Sequence, residues 1–159
     1  MAYPNGDTPG IAFPPPLVFV LGFAVGYALQ RLFPVTLVPA AGRGVWQGLG
    51  WGLVALGAAL MGSAVVTFRR AGTTPNPFKP TTAFVTHGPY RFTRNPMYLG
   101  LLLTLLGWAA FLSNPASLLF VLIFVLYINR FQIKPEEQVL SSLFRAEYMA
   151  YKSRVRRWL

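Results

Sequence analysis

From Asn95 to Asn129 the chain carries no charged side chain, and most of those 35 residues are apolar. A single helix of that length would run about 52 Å. The hydrocarbon core of a bilayer is only about 30 Å thick. Ser113-Asn114-Pro115 lies midway along the run, and a proline there starts a new helix more readily than it continues an old one. The run therefore predicts a hairpin of two helices, residues 96–112 and 116–133. Two further uncharged stretches, 8–30 and 44–68, are long enough to cross a membrane.

Those stretches predict spans over residues 17–33 and 45–68. Pro14-Pro15-Pro16 opens the first, and its Gly22 and Gly26 form a small-xxx-small pair suited to close helix packing. The second carries Gly48, Gly52, Gly57 and Gly62, which predicts that it lies inside the bundle. After the hairpin, residues 135–151 read as an amphipathic helix. Leu140, Phe144, Tyr148 and Tyr151 share one face, with Val139 and Leu143 beside them. The expected fold is an all-α membrane protein: four transmembrane helices, the last two a hairpin, and a C-terminal amphipathic cytoplasmic helix. Residues 1–159 form one integral membrane domain, with a two-span part over 1–70 and a second part over 71–159.

The net charge of +10 raises the question of nucleic acid, but the basic residues border the apolar runs and form no recognition helix. No nucleic-acid partner is expected. With no cysteine, disulfides, thiolate metal sites and a cysteine nucleophile are excluded, and with a single histidine no structural zinc site is expected. Residues 1–13 read as a mobile head without a cleavable signal peptide. Arg69, Arg70, Lys79, Arg91 and Arg94 follow the second span, and seven more basic residues follow the fourth, against Arg31 and Arg43 on the other side. The positive-inside rule then places the 71–94 loop and both termini in the cytoplasm, in an inner or plasma membrane.

Residues 71–94 contain Pro75, Pro77, Pro80 and Pro89, which argue against a continuous helix. Phe78, Phe84 and Val85 predict that this loop folds back on the membrane face. At its end, His87-Gly-Pro-Tyr-Arg-Phe-Thr-Arg-Asn-Pro-Met-Tyr-Leu-Gly100 turns polar chain into apolar chain. Asn95 is the expected N-cap and Pro96 the first helical residue. Arg91, Arg94 and the free amides of that helix end form a corner that suits an anion. Three of the four acidic residues, Glu136, Glu137 and Glu147, follow the last span. Glu137 points along the apolar stripe of the tail, where a carboxylate calls for a cationic partner. Taken alone, the glutamates fit a capping pair in the first turn of the tail helix equally well. The arginines fit phospholipid anchors, Tyr90 and Tyr98 an aromatic belt, and His87 an ordinary loop residue.

Gly88-Pro89-Tyr90-Arg91 followed by Arg94-Asn95-Pro96-Met97-Tyr98-Leu99-Gly100 resembles the signature of the isoprenylcysteine carboxyl methyltransferase family, itself similar to membrane phospholipid N-methyltransferases. The resemblance continues through Glu136-Glu137, Leu140, Glu147-Tyr148, Tyr151-Lys152 and Val155, covering residues 72–159. It departs at Asn95, where members commonly carry the histidine of Arg-His-Pro; asparagine keeps a hydrogen bond but cannot titrate. The resemblance implies S-adenosyl-L-methionine as methyl donor, S-adenosyl-L-homocysteine as product, and a lipophilic or small acceptor. An isoprenylcysteine-type carboxylate, a phospholipid amine and a small thiol all remain open. It assigns the cofactor site to Gly88, Tyr90, Arg94, Asn95, Pro96, Tyr98, Gly100, Glu136 and Glu137. In this reading Arg94 takes the donor carboxylate, Glu137 its ammonium or ribose hydroxyls, and Glu136 shares that role or caps the helix. His87, Arg94 and Glu137 are the catalytic candidates, with His87 as the ordinary base if one is needed. The competing expectation is a non-catalytic lipid-binding or scaffold protein that keeps the fold.

Overall fold

The structure is a computed structural model that describes residues 14–72 and 84–159. Pro75, Pro77, Phe78, Lys79, Pro80 and the 1–13 head lie outside the described residues. Those described form five helices and no strand: α1 (Pro15–Leu32), α2 (Arg43–Arg70), α3 (Pro96–Leu112), α4 (Pro115–Ile128) and α5 (Lys134–Arg154). Prolines at the first turn open α1, α3 and α4, where a missing N–H costs nothing.

The hairpin turns where the sequence places it. Ser113 takes a left-handed conformation (φ 53°) and ends α3. The Asn114 side chain then caps α4 by accepting the Ala116 N–H at 2.8 Å. Its amide donates to Gln30 Oε1 at 2.9 Å and the Phe33 carbonyl at 3.0 Å, which ties the turn to the end of α1. Leu105, Ala109, Val121, Phe124, Ile128 and Ile133 form the core between α3 and α4, and Val18, Phe19 and Phe23 of α1 close it. Gly22 and Gly26 face Phe120 and Ser117 of α4, as their spacing predicts.

Three of the expectations need correction. α2 is not inside the bundle. One face of it is used: Gly50 and Gly57 lie against α3, and Ala64 and Thr67, further along the same face, meet the 85–90 segment. A Cβ at Gly50 would stand 2.7 Å from the Gly107 carbonyl oxygen, and one at Gly57 2.5 Å from that of Gly100. Gly48, Gly52 and Gly62 face open space instead. Glycine density marked the helix correctly as one of close approach, but only one face of it is used.

Second, no break separates the fourth span from the tail helix. α4 passes through a π-helical turn (Asn129–Ile133) directly into α5. There is thus no free N-terminus at Glu136-Glu137 for a capping pair to serve. Third, α5 is not one straight amphipathic rod: Arg145 (φ 33°, ψ −110°) kinks it into two arms.

α1, α2 and the continuous α4–α5 helix are long and apolar enough to cross a membrane, and α3 is a shorter apolar helix of 17 residues. Leu17, Val20 and Leu21 on α1, Trp46, Leu49, Trp51 and Leu56 on α2, and Leu119, Leu122, Ile123 and Leu126 on α4 are exposed. Apolar surface this extensive has no place in water, whereas lipid tails accept it freely. The helices satisfy their own backbone groups, as a bilayer demands. The molecule is an integral membrane protein.

Candidate functional site

The site forms where the loop before α3, the start of α5, the second arm of α5 and the C-terminal segment meet. Gly88–Arg91 make a short 3-10 turn, and Gly88 needs its positive φ (61°) to enter it. Thr67 of α2 sits against Gly88, and Tyr90 packs on Phe68 at 5.2 Å between ring centroids. The Tyr151 hydroxyl donates to the Tyr90 carbonyl at 2.7 Å, which binds this loop to α5. Phe84 stacks on Phe144 at 5.1 Å and touches Tyr148 and Tyr151, while Val85 packs beside Ala64 and Tyr90. The described end of the loop therefore folds back onto α5 and α2.

Within this frame Arg94 and Glu137, 43 positions apart in sequence, form an ion pair at 3.2 Å. Glu137 also accepts two hydrogen bonds from Arg157, Nε to Oε1 at 3.0 Å and Nη2 to Oε2 at 2.8 Å. Burial works to raise the Glu137 pKa, but the Arg157 hydrogen bonds and the charges of Arg94, Arg157 and Lys152 outweigh it and hold the carboxyl below its ordinary value. Arg94 is almost fully buried, and its Nε and Nη1 have no hydrogen-bond partner. The Tyr90 hydroxyl is likewise buried and unpartnered.

Glu136 turns the other way and accepts the Tyr98 hydroxyl at 2.5 Å. Burial pushes its carboxyl up to about 7; the Tyr98 hydrogen bond opposes this and the charge of Glu137 adds to it. Two adjacent glutamates thus have environments that drive their ionisation apart. Glu137 also borders an open surface cleft of about 550 Å³ lined by Lys134, Gln138, Ser141, Ser142 and Lys152.

Tyr90, Arg94, Asn95, Pro96, Tyr98, Glu136 and Glu137 are all placed in or beside this region. Asn95 holds the N-cap position of α3, but its side chain makes no cap hydrogen bond. Its amide donates instead to the Arg157 carbonyl at 3.0 Å, since the C-terminal segment runs within reach. Gly100 faces away: a Cβ there would stand 2.7 Å from the Gly57 carbonyl oxygen, so its place is the α2–α3 contact. His87 is exposed, and neither a hydrogen bond nor an ion pair joins its ring to Arg94 or Glu137. Glu147 is exposed as well.

The residues that sequence reasoning missed are Thr93, Tyr148, Tyr151 and above all Arg157. Arg157 belongs to the basic cluster at the C-terminus, yet its side chain turns inward onto Glu137. Its half-buried neighbour Trp158, packed against the α3–α4 core, is the sequence signal that this end is docked.

The sequence model of phospholipid methyltransferases matches residues 45–147, which runs from α2 through most of α5. The chain belongs to the phospholipid methyltransferase family. The match takes in the second apolar helix, the Gly88–Gly100 motif and Glu136-Glu137, and stops before Tyr148. The chain is 29% identical over 133 residues to Protein-S-isoprenylcysteine O-methyltransferase A of Arabidopsis thaliana, covering 80% of this chain and 66% of the plant protein. It is 41% identical over 69 residues to Protein-S-isoprenylcysteine O-methyltransferase of Saccharomyces cerevisiae, covering 43% of this chain and 28% of the yeast protein. An uncharacterized protein of Haemophilus influenzae is 56% identical over 63 residues, all of that protein and 40% of this one. The chain thus spans just under two thirds of the plant relative and less than a third of the yeast one.

Proposed function

We propose that this membrane methyltransferase-family protein transfers a methyl group from S-adenosylmethionine to a lipophilic or small acceptor at the membrane face. The observation that carries this reading is the buried Arg94, paired with Glu137 on one side and open at Nε and Nη1 on the other. A buried guanidinium edge without a partner is costly and calls for an anion, and a carboxylate matches its fork. The donor's amino-acid end carries such a carboxylate together with an ammonium. When bound, S-adenosylmethionine supplies an electrophilic methyl group on a sulfonium.

The chain's own residues bind, orient and exclude water. Arg94 holds the carboxylate through its open edge, and Glu137, kept ionised by its arginines, faces the cationic and hydroxyl groups. Tyr98 and Glu136 form a second polar wall, and Tyr90, Tyr148 and Tyr151 keep water from the pair. Methyl transfer is an in-line displacement, so holding the reactants collinear in a dry site supplies much of the catalysis. His87 stands outside this hydrogen-bonded group, which favours an acceptor that arrives ionised, a carboxylate or thiolate, and needs no base from the chain. The names of the plant and yeast relatives support a carboxylate. The site lies on the side that carries most of the basic residues, which we read as cytoplasmic.

Titration of the purified protein with S-adenosylmethionine tests the reading. Saturable binding that is lost in Arg94→Ala and Glu137→Ala supports an enzyme, and labelled donor with lipid extract or small thiols then identifies the product. Absence of binding in the unaltered protein favours the scaffold alternative.

A further inference from the structure

Charge counting at the buried pair leaves one positive charge over. Arg94 and Arg157 bring two positive charges to Glu137, which answers one. Arg157 takes both carboxylate oxygens, and Arg94 reaches the same carboxylate only through Nη2. With Arg94 as its sole partner, Glu137 would draw both prongs of that guanidinium into a bidentate pair. One of the two forked edges of the guanidinium would then be taken up by the glutamate. With Arg157 on both oxygens, Arg94 spends one nitrogen on the glutamate, and Nε and Nη1 stay without a partner.

Arg157 does not belong to a helix. It lies in residues 155–159, beyond α5, and its position is fixed by the loop that carries Arg94. The Arg94 N–H donates to the Arg156 carbonyl at 3.0 Å. The Thr93 hydroxyl and the Asn95 amide donate to the Arg157 carbonyl at 3.1 Å and 3.0 Å. Three hydrogen bonds from three consecutive residues hold the segment across the site. Asn95, the position where the chain departs from Arg-His-Pro, is one of them.

We infer that Arg157 is a positioning residue of the donor site: it grips Glu137 by both oxygens, Asn95 latches it there, and Arg94 thereby spends only Nη2 on the glutamate and keeps its remaining N–H donors for a carboxylate. The inference rests on the reading of Arg94 as the carboxylate ligand. Glu137 is faced by Arg94 from the loop, by Arg157 from the C-terminal segment, by Lys152 and Tyr148 from the second arm of α5, and by its neighbour Glu136. The Arg157 hydrogen bonds are the largest of the influences that keep Glu137 ionised. Without Arg157 its protonation therefore moves to higher pH, and binding that needs the carboxylate falls off as the solution is acidified.

The test is calorimetric titration of the full chain in detergent with S-adenosylhomocysteine, which keeps the donor's amino-acid end, at pH values from about 5 to about 8. Arg157→Gln is expected to weaken binding about tenfold at the upper end, the scale of a lost charged hydrogen bond. The ratio of wild-type to variant affinity should widen as pH falls. Arg157→Lys, which restores charge without the fork, should recover the pH profile but only part of the affinity. Asn95→Ala should weaken binding in the same direction. Wild type that binds alongside an unaffected Arg157→Gln overturns this inference alone. So does a loss that does not vary with pH and tracks a lowered melting temperature, since that marks a merely structural role. Wild type that fails to bind overturns the donor reading, and this inference with it.

Discussion

Neighbouring residues of one type have diverged by environment. Glu137 was legible as a carboxylate needing a cation, because its place on the apolar stripe left it no other refuge. Arg94 was legible from the loop-to-helix transition. That Glu136 would turn to Tyr98 instead was not, since a π-helical turn sets the rotation of the pair and leaves no mark in the sequence. Glu136, half-buried against Tyr98, titrates near neutrality in the folded chain, at about 7 against an ordinary 4.5. A raised folded value means the native state holds its proton where the unfolded chain releases it. Stability is therefore fully present below about 4.5 and is lost as pH rises to about 7. Glu136→Gln should flatten that slope and gain on the order of 2 kcal/mol near pH 7 relative to wild type. Thermal unfolding in detergent across this window reads it out. A slope that persists in the variant assigns the pH dependence to another group.

The elements divide into those set by their own sequence and those set by contact. α3 starts and stops where Pro96 and Ser113 require, and the hairpin follows from length alone. Packing was less legible, because a glycine shows that close approach is possible without showing on which side. α2 has glycines on two faces, and only Gly50 and Gly57 meet a neighbour. Gly57→Val should push α2 off α3 and destabilise by about 1–3 kcal/mol, whereas Gly52→Val, facing open space, should leave the melting temperature nearly unchanged. Equal effects from both substitutions would remove the one-sided α2–α3 contact. The kink in α5 was illegible for a different reason: Arg145 has no conformational preference for φ 33°. Its backbone is strained, and the cost is met by the contacts that Tyr148 and Tyr151 make beyond it. Arg145→Gly should relieve the strain and raise stability by about 1 kcal/mol. A drop in the same thermal assay would show that the helix prefers to run straight.

At the scale of the molecule, the end of α2, the start of α3 and the entry to α5 lie together, and the site sits among them. The opposite end holds the Ser113–Asn114 turn and the end of α1. The proposed orientation rests on lysine and arginine: twelve belong to the site end and its connected segments, and only Arg31 and Arg43 to the other. Counted over short connections, such a bias decides topology. The proposed reaction asks for the same orientation, because a water-soluble nucleotide donor would come from the cytoplasm and a lipophilic acceptor through the bilayer. The chain has no cysteine, so a single introduced one reports cleanly. Arg69→Cys, exposed at the end of α2, should react with an impermeant maleimide only when the cytoplasmic face is open. Ala41→Cys, exposed before α2, should react from the outside of intact cells. The reverse pattern would place the buried Arg94–Glu137 pair on the side away from the donor supply, and a cytoplasmic methyl donor would then have no route to it.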